Sequence, residues 1–292
     1  MKVSRALLGR LALFATALIW GTSFVVLKNA LDSIGTLWIL AIRFTVAAAL
    51  MLVLIRGKLR SISPRCILGS ALMGASLAAA YIIQTYGLYY TTPGKNAFLT
   101  ATYCVLTPFL AWLFYRRRPA FSNALAAVLC LAGVGLVSLG TDFGRLNLGD
   151  VLSLCSGLFY SLQIILMEQY VDSGDAAGIS AVQFLTAAAI CWAGALLFET
   201  APVGVGSRAW LEIGYLSVMC TGVCFFLQAW GMRYTPSSSA AIIMTLEAVF
   251  GAVVSVLFYH EVVTGKIALG FVLIFSSVLM SELRPFRGKK LA

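Results

Sequence analysis

QTYGLYYT (residues 84–91) recurs 144 residues later as QAWGMRYT (residues 228–235), with glutamine, glycine, tyrosine and threonine at the same four places. The correspondence continues without a gap toward the C-terminal end of each copy. The further identical pairs are Ala97 and Ala241, Val105 and Val249, Leu113 and Leu257, Phe114 and Phe258, and Tyr115 and Tyr259. Internal symmetry of this kind predicts a duplicated chain.

The duplication also extends toward the N-terminus, at a spacing of 140 residues. RFTVAAAL from Arg43 aligns with QFLTAAAI from Gln183, and GRLALFATALIWG from Gly9 aligns with GDVLSLCSGLFYS from Gly149. We therefore divide the chain into a first repeat, residues 1–140, and a second repeat, residues 141–292.

Composition places both repeats in a lipid bilayer. Of the 292 residues, 61% are hydrophobic and 11% are charged, whereas soluble domains carry roughly 25% charged residues. Apolar runs of about 18 to 22 residues, each long enough for a helix to cross about 30 Å of hydrocarbon, predict ten membrane spans. They cover residues 7–27, 36–55, 66–88, 95–115, 121–140, 150–169, 178–198, 210–231, 237–258 and 266–283.

Each repeat holds five predicted spans, and five is odd, so the second repeat must enter the membrane from the opposite side. The sequence therefore predicts an all-α integral membrane protein with ten transmembrane helices, arranged as two inverted five-helix repeats. Secondary transporters often have this architecture, with the substrate site near the midplane where the repeats meet. We accordingly expect transport rather than catalysis.

Basic residues set the expected orientation, because loops rich in Lys and Arg stay in the cytoplasm. A cytoplasmic N-terminus leaves few basic residues in outer loops, namely Lys28, Lys95, Arg145, Arg208 and Lys266. We predict a multi-pass protein of the cell (inner) membrane with both termini cytoplasmic. The net charge of +10 then reflects topology, and we expect no nucleic-acid partner.

The sequence contains few residues that could catalyse a reaction or bind a cofactor or a metal. The Gly-Lys pairs at residues 94–95 and 265–266 lack the remaining residues of a phosphate-binding loop. Cys220 and Cys224 lie one helical turn apart, but His260 is the single histidine and no second pair of metal ligands accompanies them. We expect no cofactor, no metal and no catalytic residue, and therefore transport powered by a gradient.

Two charged residues, Arg43 and Glu247, lie well inside predicted spans, where a charge is costly and marks a candidate site. Arg43 suits a substrate carboxylate or phosphate, because its guanidinium forms paired hydrogen bonds; alternatively it pairs with a nearby carbonyl or acid. Glu247, near the middle of the ninth span, is a candidate proton carrier or the structural partner of Arg43. Their repeat mates, Gln183 and Tyr103, are candidate substrate contacts as well.

Four further side chains are candidates for the substrate site. Trp20 and Tyr160 are repeat mates near the middle of the first span of each repeat, away from the interfacial belts that aromatic residues usually form, so we predict that they line a cavity. Gln84 and Gln228 place amides within spans, where an unsatisfied polar group is costly. They contact substrate or cross-link helices.

Several of these residues belong to short motifs: WGTSFVVLK from Trp20, AIRF from Ala41, residues 84–91, TP at 107–108, EAVFG from Glu247, and HE at 260–261 followed by Gly270. By these motifs the chain resembles the drug/metabolite transporter superfamily, specifically the EamA-type bacterial transporters with ten helices. One departure is RRRP at residues 116–119, where the family often carries an acid. The second repeat keeps its counterpart as Glu261, which favours a structural role for that acid at a helix end.

The resemblance implies a central cavity lined by spans 1–4 and 6–9, with spans 5 and 10 at the periphery, and export or exchange of small organic metabolites. We expect efflux of an amino acid or related compound by alternating access. The expected partners are the small-molecule substrate and the bilayer, with protons and a second copy in a homodimer as candidates. Import or exchange, and a transporter-like membrane enzyme or sensor, remain the alternatives.

Overall fold

A computed structural model of the protein describes residues 5–54, 63–116, 119, 121–138, 147–170, 176–235 and 237–283. These residues form α-helices and one π-helical segment, with no strand among them. The helices are α1 (Arg5–Ala30), α2 (Thr36–Leu54), α3 (Pro64–Tyr90), α4 (Pro93–Ala101), α5 (Tyr103–Tyr115), α6 (Phe121–Ser138), α7 (Leu148–Tyr170), α8 (Ala176–Phe198), α9 (Ser207–Tyr215), the π segment (Leu216–Val223), α10 (Cys224–Tyr234), α11 (Ser237–Phe258) and α12 (Gly265–Leu283).

Seven helical runs are long and apolar enough to cross a membrane: Arg5–Ala30, Thr36–Leu54, Pro64–Tyr90, Pro93–Tyr115, Leu148–Met167, Gly178–Phe198 and Ser207–Gln228. Shorter apolar helices coincide with the other three predicted spans, at Phe121–Val137, Leu246–Phe258 and Gly265–Met280. A spanning helix needs about 20 apolar residues. The structure therefore confirms an all-helical protein with membrane-spanning helices, and the count of ten spans stays a prediction.

The run from Pro93 to Tyr115 is interrupted at Thr102, which separates α4 from α5. The Thr102 backbone N–H bonds to the Leu99 carbonyl at 3.3 Å, and its hydroxyl donates to the same oxygen at 2.6 Å. Such a local side-chain bond competes with the regular helix ladder. The interruption lies between Thr100 and Tyr103, and both of these residues line one small cavity.

Two pairs of glycines bring helices from the two halves of the chain into backbone contact. α3 packs along α7, where a Cβ at Gly149 would lie 2.6 Å from the Gly87 carbonyl oxygen. α1 packs along α10, where a Cβ at Gly231 would lie 2.8 Å from the Gly9 carbonyl oxygen. Glycine permits this approach, as small residues do at many helix contacts in membranes.

Two further helix pairs are α2 with α8 and α6 with α12. α2 lies against α8 near the centre, where the buried rings of Phe44 and Phe184 stack with centroids 6.3 Å apart. α6 packs mainly along α12, and a Cβ at Gly270 would lie 2.9 Å from the Gly133 carbonyl oxygen. This second pair corresponds to predicted spans 5 and 10.

We expect Gly149→Val to destabilise the folded protein, because the added side chain would overlap the α3 backbone and force α3 away from α7. Overpacking of this kind costs about 1–3 kcal/mol. The measurement is the apparent melting temperature of detergent-purified protein, followed by gel filtration. Gly214→Val is the matched control, because a Cβ at Gly214 meets no atom within 4 Å. An equal loss of stability in both variants would contradict the contact.

Candidate functional site

Arg43 lies in α2 and is only 2% exposed. Its Nε donates to the Thr221 hydroxyl at 2.5 Å, and its Nη2 reaches the Tyr81 hydroxyl at 3.5 Å. The guanidinium carbon also lies 4.7 Å from the centre of the Tyr81 ring, in cation–π geometry. Arg43 thus meets a hydroxyl and an aromatic face.

One of the two roles expected for Glu247 is that of structural partner to Arg43. The two charges are close enough to act on each other, but within the described part of the chain they do not form a direct ion pair. The guanidinium is therefore left with N–H groups that its neighbours among the described residues do not occupy, because Thr221 and Tyr81 accept from two of its five donors.

The acceptor Thr221 belongs to the π segment. Its hydroxyl donates to the Leu216 carbonyl, five residues earlier, at 3.0 Å. From α1, the Trp20 indole N–H donates to the neighbouring Cys220 carbonyl at 2.6 Å. Trp20 and Arg43 therefore bind adjacent residues of one segment, and π-helical turns occur frequently at functional sites.

Gln84 in α3 connects this helix to α4 and α7. Its amide nitrogen donates to the Thr100 hydroxyl at 3.0 Å, and its amide oxygen accepts from the Tyr160 hydroxyl at 2.8 Å. Its backbone carbonyl accepts from Asn96 Nδ2 at 3.2 Å. Of the two roles predicted for Gln84, the structure shows the cross-link between helices.

A continuous series of aromatic rings passes Arg43. Neighbouring rings in this aromatic series have centroids 5.0 to 6.3 Å apart, within the range for favourable ring contacts. In order, its members are Trp20, Phe225, Phe184, Phe44, Tyr81, Tyr160 and Tyr103. The series brings together helices from both halves of the chain and includes three of the predicted site residues.

Glu247 lies on α11 beside a small cavity. The cavity walls include Tyr103, Thr100, Cys104 and Met244. Since Thr100 also accepts the hydrogen bond from Gln84, the cavity adjoins the polar contacts that lead to Tyr160. The structure therefore places Glu247 next to Tyr103, its predicted repeat mate, and near Arg43.

Two of the predicted residues, Gln183 and Gln228, are not hydrogen-bonded to the other candidates in the described part of the chain. Gln183 on α8 is 1% exposed, and its amide oxygen accepts from Gln163 Nε2 of α7 at 3.4 Å. Gln228 on α10 is partly exposed, and no hydrogen bond among the described residues joins it to the other candidates. The structure therefore groups six of the eight predicted residues and leaves these two outside the group.

Sequence reasoning missed Tyr81 and Thr221, the two partners of Arg43. Tyr81 lies three residues before Gln84, so both residues fall on one face of α3, and that spacing could have identified it. Thr221 carries no comparable signal, because its position depends on the π segment. It became apparent only once the fold placed that segment against α2.

Comparison with known proteins identifies the family. The model of the EamA-like transporter family matches residues 7–139 and again residues 147–283. An uncharacterized transporter of Archaeoglobus fulgidus is 32% identical over 282 residues, which cover 94% of this chain and 85% of the relative. The uncharacterized transporter YoaV of Bacillus subtilis is 21% identical, over 96% of this chain and 98% of its own.

A solved structure shares the fold. It is described only as the crystal structure of a protein. It is 18% identical in sequence to this chain and superposes with a TM-score of 0.68, over 93% of this chain and 95% of its own. At this identity the likeness bears on the fold alone. The two family matches together cover nearly the whole sequence, and the protein is a member of the EamA-like transporter family of the drug/metabolite transporter superfamily.

Proposed function

We propose that the protein is a secondary active transporter that exports a small organic metabolite bearing a carboxylate, such as an amino acid or related compound, by alternating access. Family membership supports transport. The observation that supports the substrate class is the buried Arg43 guanidinium, which among the described residues meets two hydroxyls and an aromatic ring rather than a direct carboxylate partner.

The energetics of burial favour a substrate anion at Arg43. A guanidinium inside a membrane span costs roughly 2.5–3.5 kcal/mol on insertion scales, and such residues usually face a partner or a wet cavity. A carboxylate is suited to accept the two parallel hydrogen bonds that a guanidinium fork donates. Bound there, the substrate would make the direct ion pair with Arg43 that none of the described side chains makes.

The aromatic series defines the other half of the proposed site. Phe44, Tyr81 and Tyr160 lie together in it, and their faces suit the apolar part of a small metabolite. Ligand sites combine such apolar walls with a few placed polar groups. We assign Arg43 to the carboxylate and the rings of α2, α3 and α7 to the remainder of the molecule.

We also propose that the ten spans form two inverted five-helix repeats. The family model matches each half separately. The glycine contacts support the same symmetry: Gly87 and Gly149 meet between α3 and α7, and their repeat mates Gly231 and Gly9 meet between α10 and α1. Inverted repeats provide two equivalent arrangements that open to opposite sides of the membrane.

The proposed orientation follows from the basic loops, which favour cytoplasmic termini in the cell membrane. On this orientation the loops after α1, α3, α6, α8 and α11 face outward. The orientation of the protein does not determine the direction of transport, and import or exchange is the alternative to efflux. A membrane enzyme or sensor on the same scaffold would leave substrate on one side of a sealed vesicle.

The proposed function can be tested by overexpression in a bacterial host, followed by screening for tolerance to a panel of metabolites and toxic analogues. A compound that the host then tolerates is tested for flux in proteoliposomes. We expect vectorial movement of an intact carboxylate compound across the vesicle membrane. Chemical conversion of the compound without movement would overturn the transporter assignment.

We expect Arg43→Ala to abolish flux of that compound while membrane expression stays normal, because the carboxylate loses its countercharge. Arg43→Lys should retain partial flux, since an ammonium keeps the charge but lacks the fork. Initial rates in proteoliposomes provide the measurement. Arg208→Ala is the matched control, because Arg208 is highly exposed and pairs with Glu212 of its own helix. Full flux in Arg43→Ala would refute the anchor role.

Proton coupling through Glu247 is the proposed energy source, supported by its place in a cavity beside Tyr103. A carboxyl group there can take up a proton from one side and release it to the other. We expect a protonophore to reduce net flux by the wild-type protein, and Glu247→Gln to remove the dependence of flux on the proton gradient. Glu212→Gln is the control. A protonophore without effect would exclude coupling.

A further inference from the structure

Glu199 follows the C-terminal end of α8 and binds the N-terminal end of α2. Its carboxylate accepts from the backbone N–H of Leu37 at 3.1 Å and from that of Trp38 at 3.3 Å. The Tyr86 hydroxyl of α3 donates to it at 3.0 Å. The first N–H groups of a helix have no partner within the helix, so a residue of the second half completes the start of a helix in the first.

Glu261 repeats this arrangement at a second place. It follows the C-terminal end of α11, and its carboxylate accepts from the Gly94 backbone N–H in the first turn of α4 at 3.0 Å. The hydroxyls of Thr92 and Ser255 also donate to it. The structural role expected for Glu261 at a helix end is thereby confirmed, but the helix it completes belongs to the other half of the chain.

At each of the two sites, a glycine leaves the space that the carboxylate occupies. A Cβ at Gly94 would lie 2.5 Å from a Glu261 carboxylate oxygen, and a Cβ at Gly35 would overlap the Glu199 carboxylate in the same way. Neither glycine has positive φ, since Gly204 is the glycine with that conformation among the described residues. These two positions therefore require glycine for space, so that an acid can approach the helix start. We call the two arrangements the carboxylate clasps.

Both clasps lie at one end of the molecule. The first joins the end of α8 to the start of α2, and the second joins the end of α11 to the start of α4. At the same end, the Thr91 hydroxyl after α3 donates to Asp150 at the start of α7, at 2.6 Å. In the proposed orientation this end faces outward, so the two halves are joined by charge-assisted hydrogen bonds on the outer side.

The sequence differs at the opposite ends of the same helices. The stretch that corresponds to Glu199, residues 55–59, reads IRGKL, and the residues that correspond to Glu261 lie in RRR at 116–118. These stretches contain no acid, and a guanidinium or ammonium has no lone pair to accept a backbone N–H. A carboxylate from these helix ends can therefore form a clasp on one side of the membrane only.

We propose that the two carboxylate clasps are the latches of an outer gate, and that the substrate-free protein rests with its outer end closed and its inner end accessible. This inference rests on the proposed alternating access. Opening the outer end separates α2 from α8 and α4 from α11, so it must break both clasps. The asymmetry between the two ends therefore biases the resting equilibrium toward the inward-accessible arrangement.

The experiment measures access to the cavity without a substrate. A single reporter cysteine is introduced at Thr100 or, in a separate protein, at Ala101, since both positions line the cavity beside Glu247. The seven native cysteines are replaced by alanine. A membrane-impermeant maleimide is then applied to right-side-out or inside-out vesicles. We expect the reporter cysteine to react from the inside and to be protected from the outside.

Removing the clasps should expose the reporter from the outside. The double variant Glu199→Gln, Glu261→Gln should increase the outside labelling rate at least about tenfold. Loss of a hydrogen bond to a charged group shifts an equilibrium constant by that factor or more. Gly35→Ala and Gly94→Ala should act in the same direction while keeping every charge, because each added methyl displaces a carboxylate. The two sets of variants therefore test charge and geometry separately.

Matched controls distinguish a gate from general loosening. Glu212→Gln removes an acid that pairs within its own helix, and Gly214→Ala adds a methyl where a Cβ meets nothing within 4 Å; both should leave labelling unchanged. Equal labelling of the protein with intact clasps from both sides, or unchanged labelling in the acid or the glycine variants, would overturn the proposal. Labelling is independent of flux, so a wrong substrate assignment would not mimic either result.

Discussion

A backbone that crosses lipid must find partners for its N–H and C=O groups within the protein, and the structure depends on how this is done where helices end or deform. At these places, side chains of residues that lie far away along the chain provide the missing hydrogen-bond partners. Lys28 donates to the carbonyls of Leu88, Tyr89 and Thr91 at the end of α3. Trp20 does the same for a π-segment carbonyl, and Glu199 for the start of α2. Each of these contacts also fixes one helix relative to another.

The same constraint explains the arrangement around Arg43. Its guanidinium is held by Thr221, whose hydroxyl is itself oriented by a carbonyl of the π segment. The Tyr81 ring covers one face of the guanidinium. A site of this kind is fixed in position but leaves donors for a ligand, because the described residues accept from only two of the five N–H groups of the guanidinium. Fixed geometry with unused donors is what preorganised recognition of an anion requires.

Sequence reasoning predicted the helices closely, because apolar runs of spanning length are a strong signal in a chain this poor in charge. It also singled out Arg43, Glu247 and Gln84 as candidates, since polar groups within such runs are rare and costly. It could not identify Thr221 or Glu199 as partners. Periodicity assigns a residue to a face of its own helix, but it does not say which helix that face meets, and both of these contacts join residues that lie far apart along the chain.

The π segment has a consequence for how the sequence around α10 should be interpreted. Its eight residues replace part of the usual i→i−4 ladder with i→i−5 bonds. A helical wheel drawn continuously from Ser207 is therefore valid only as far as Tyr215, and beyond Val223 it assigns side chains to the wrong direction. Alignments that transfer lipid-facing and interior positions along this stretch must restart their angular register at Cys224.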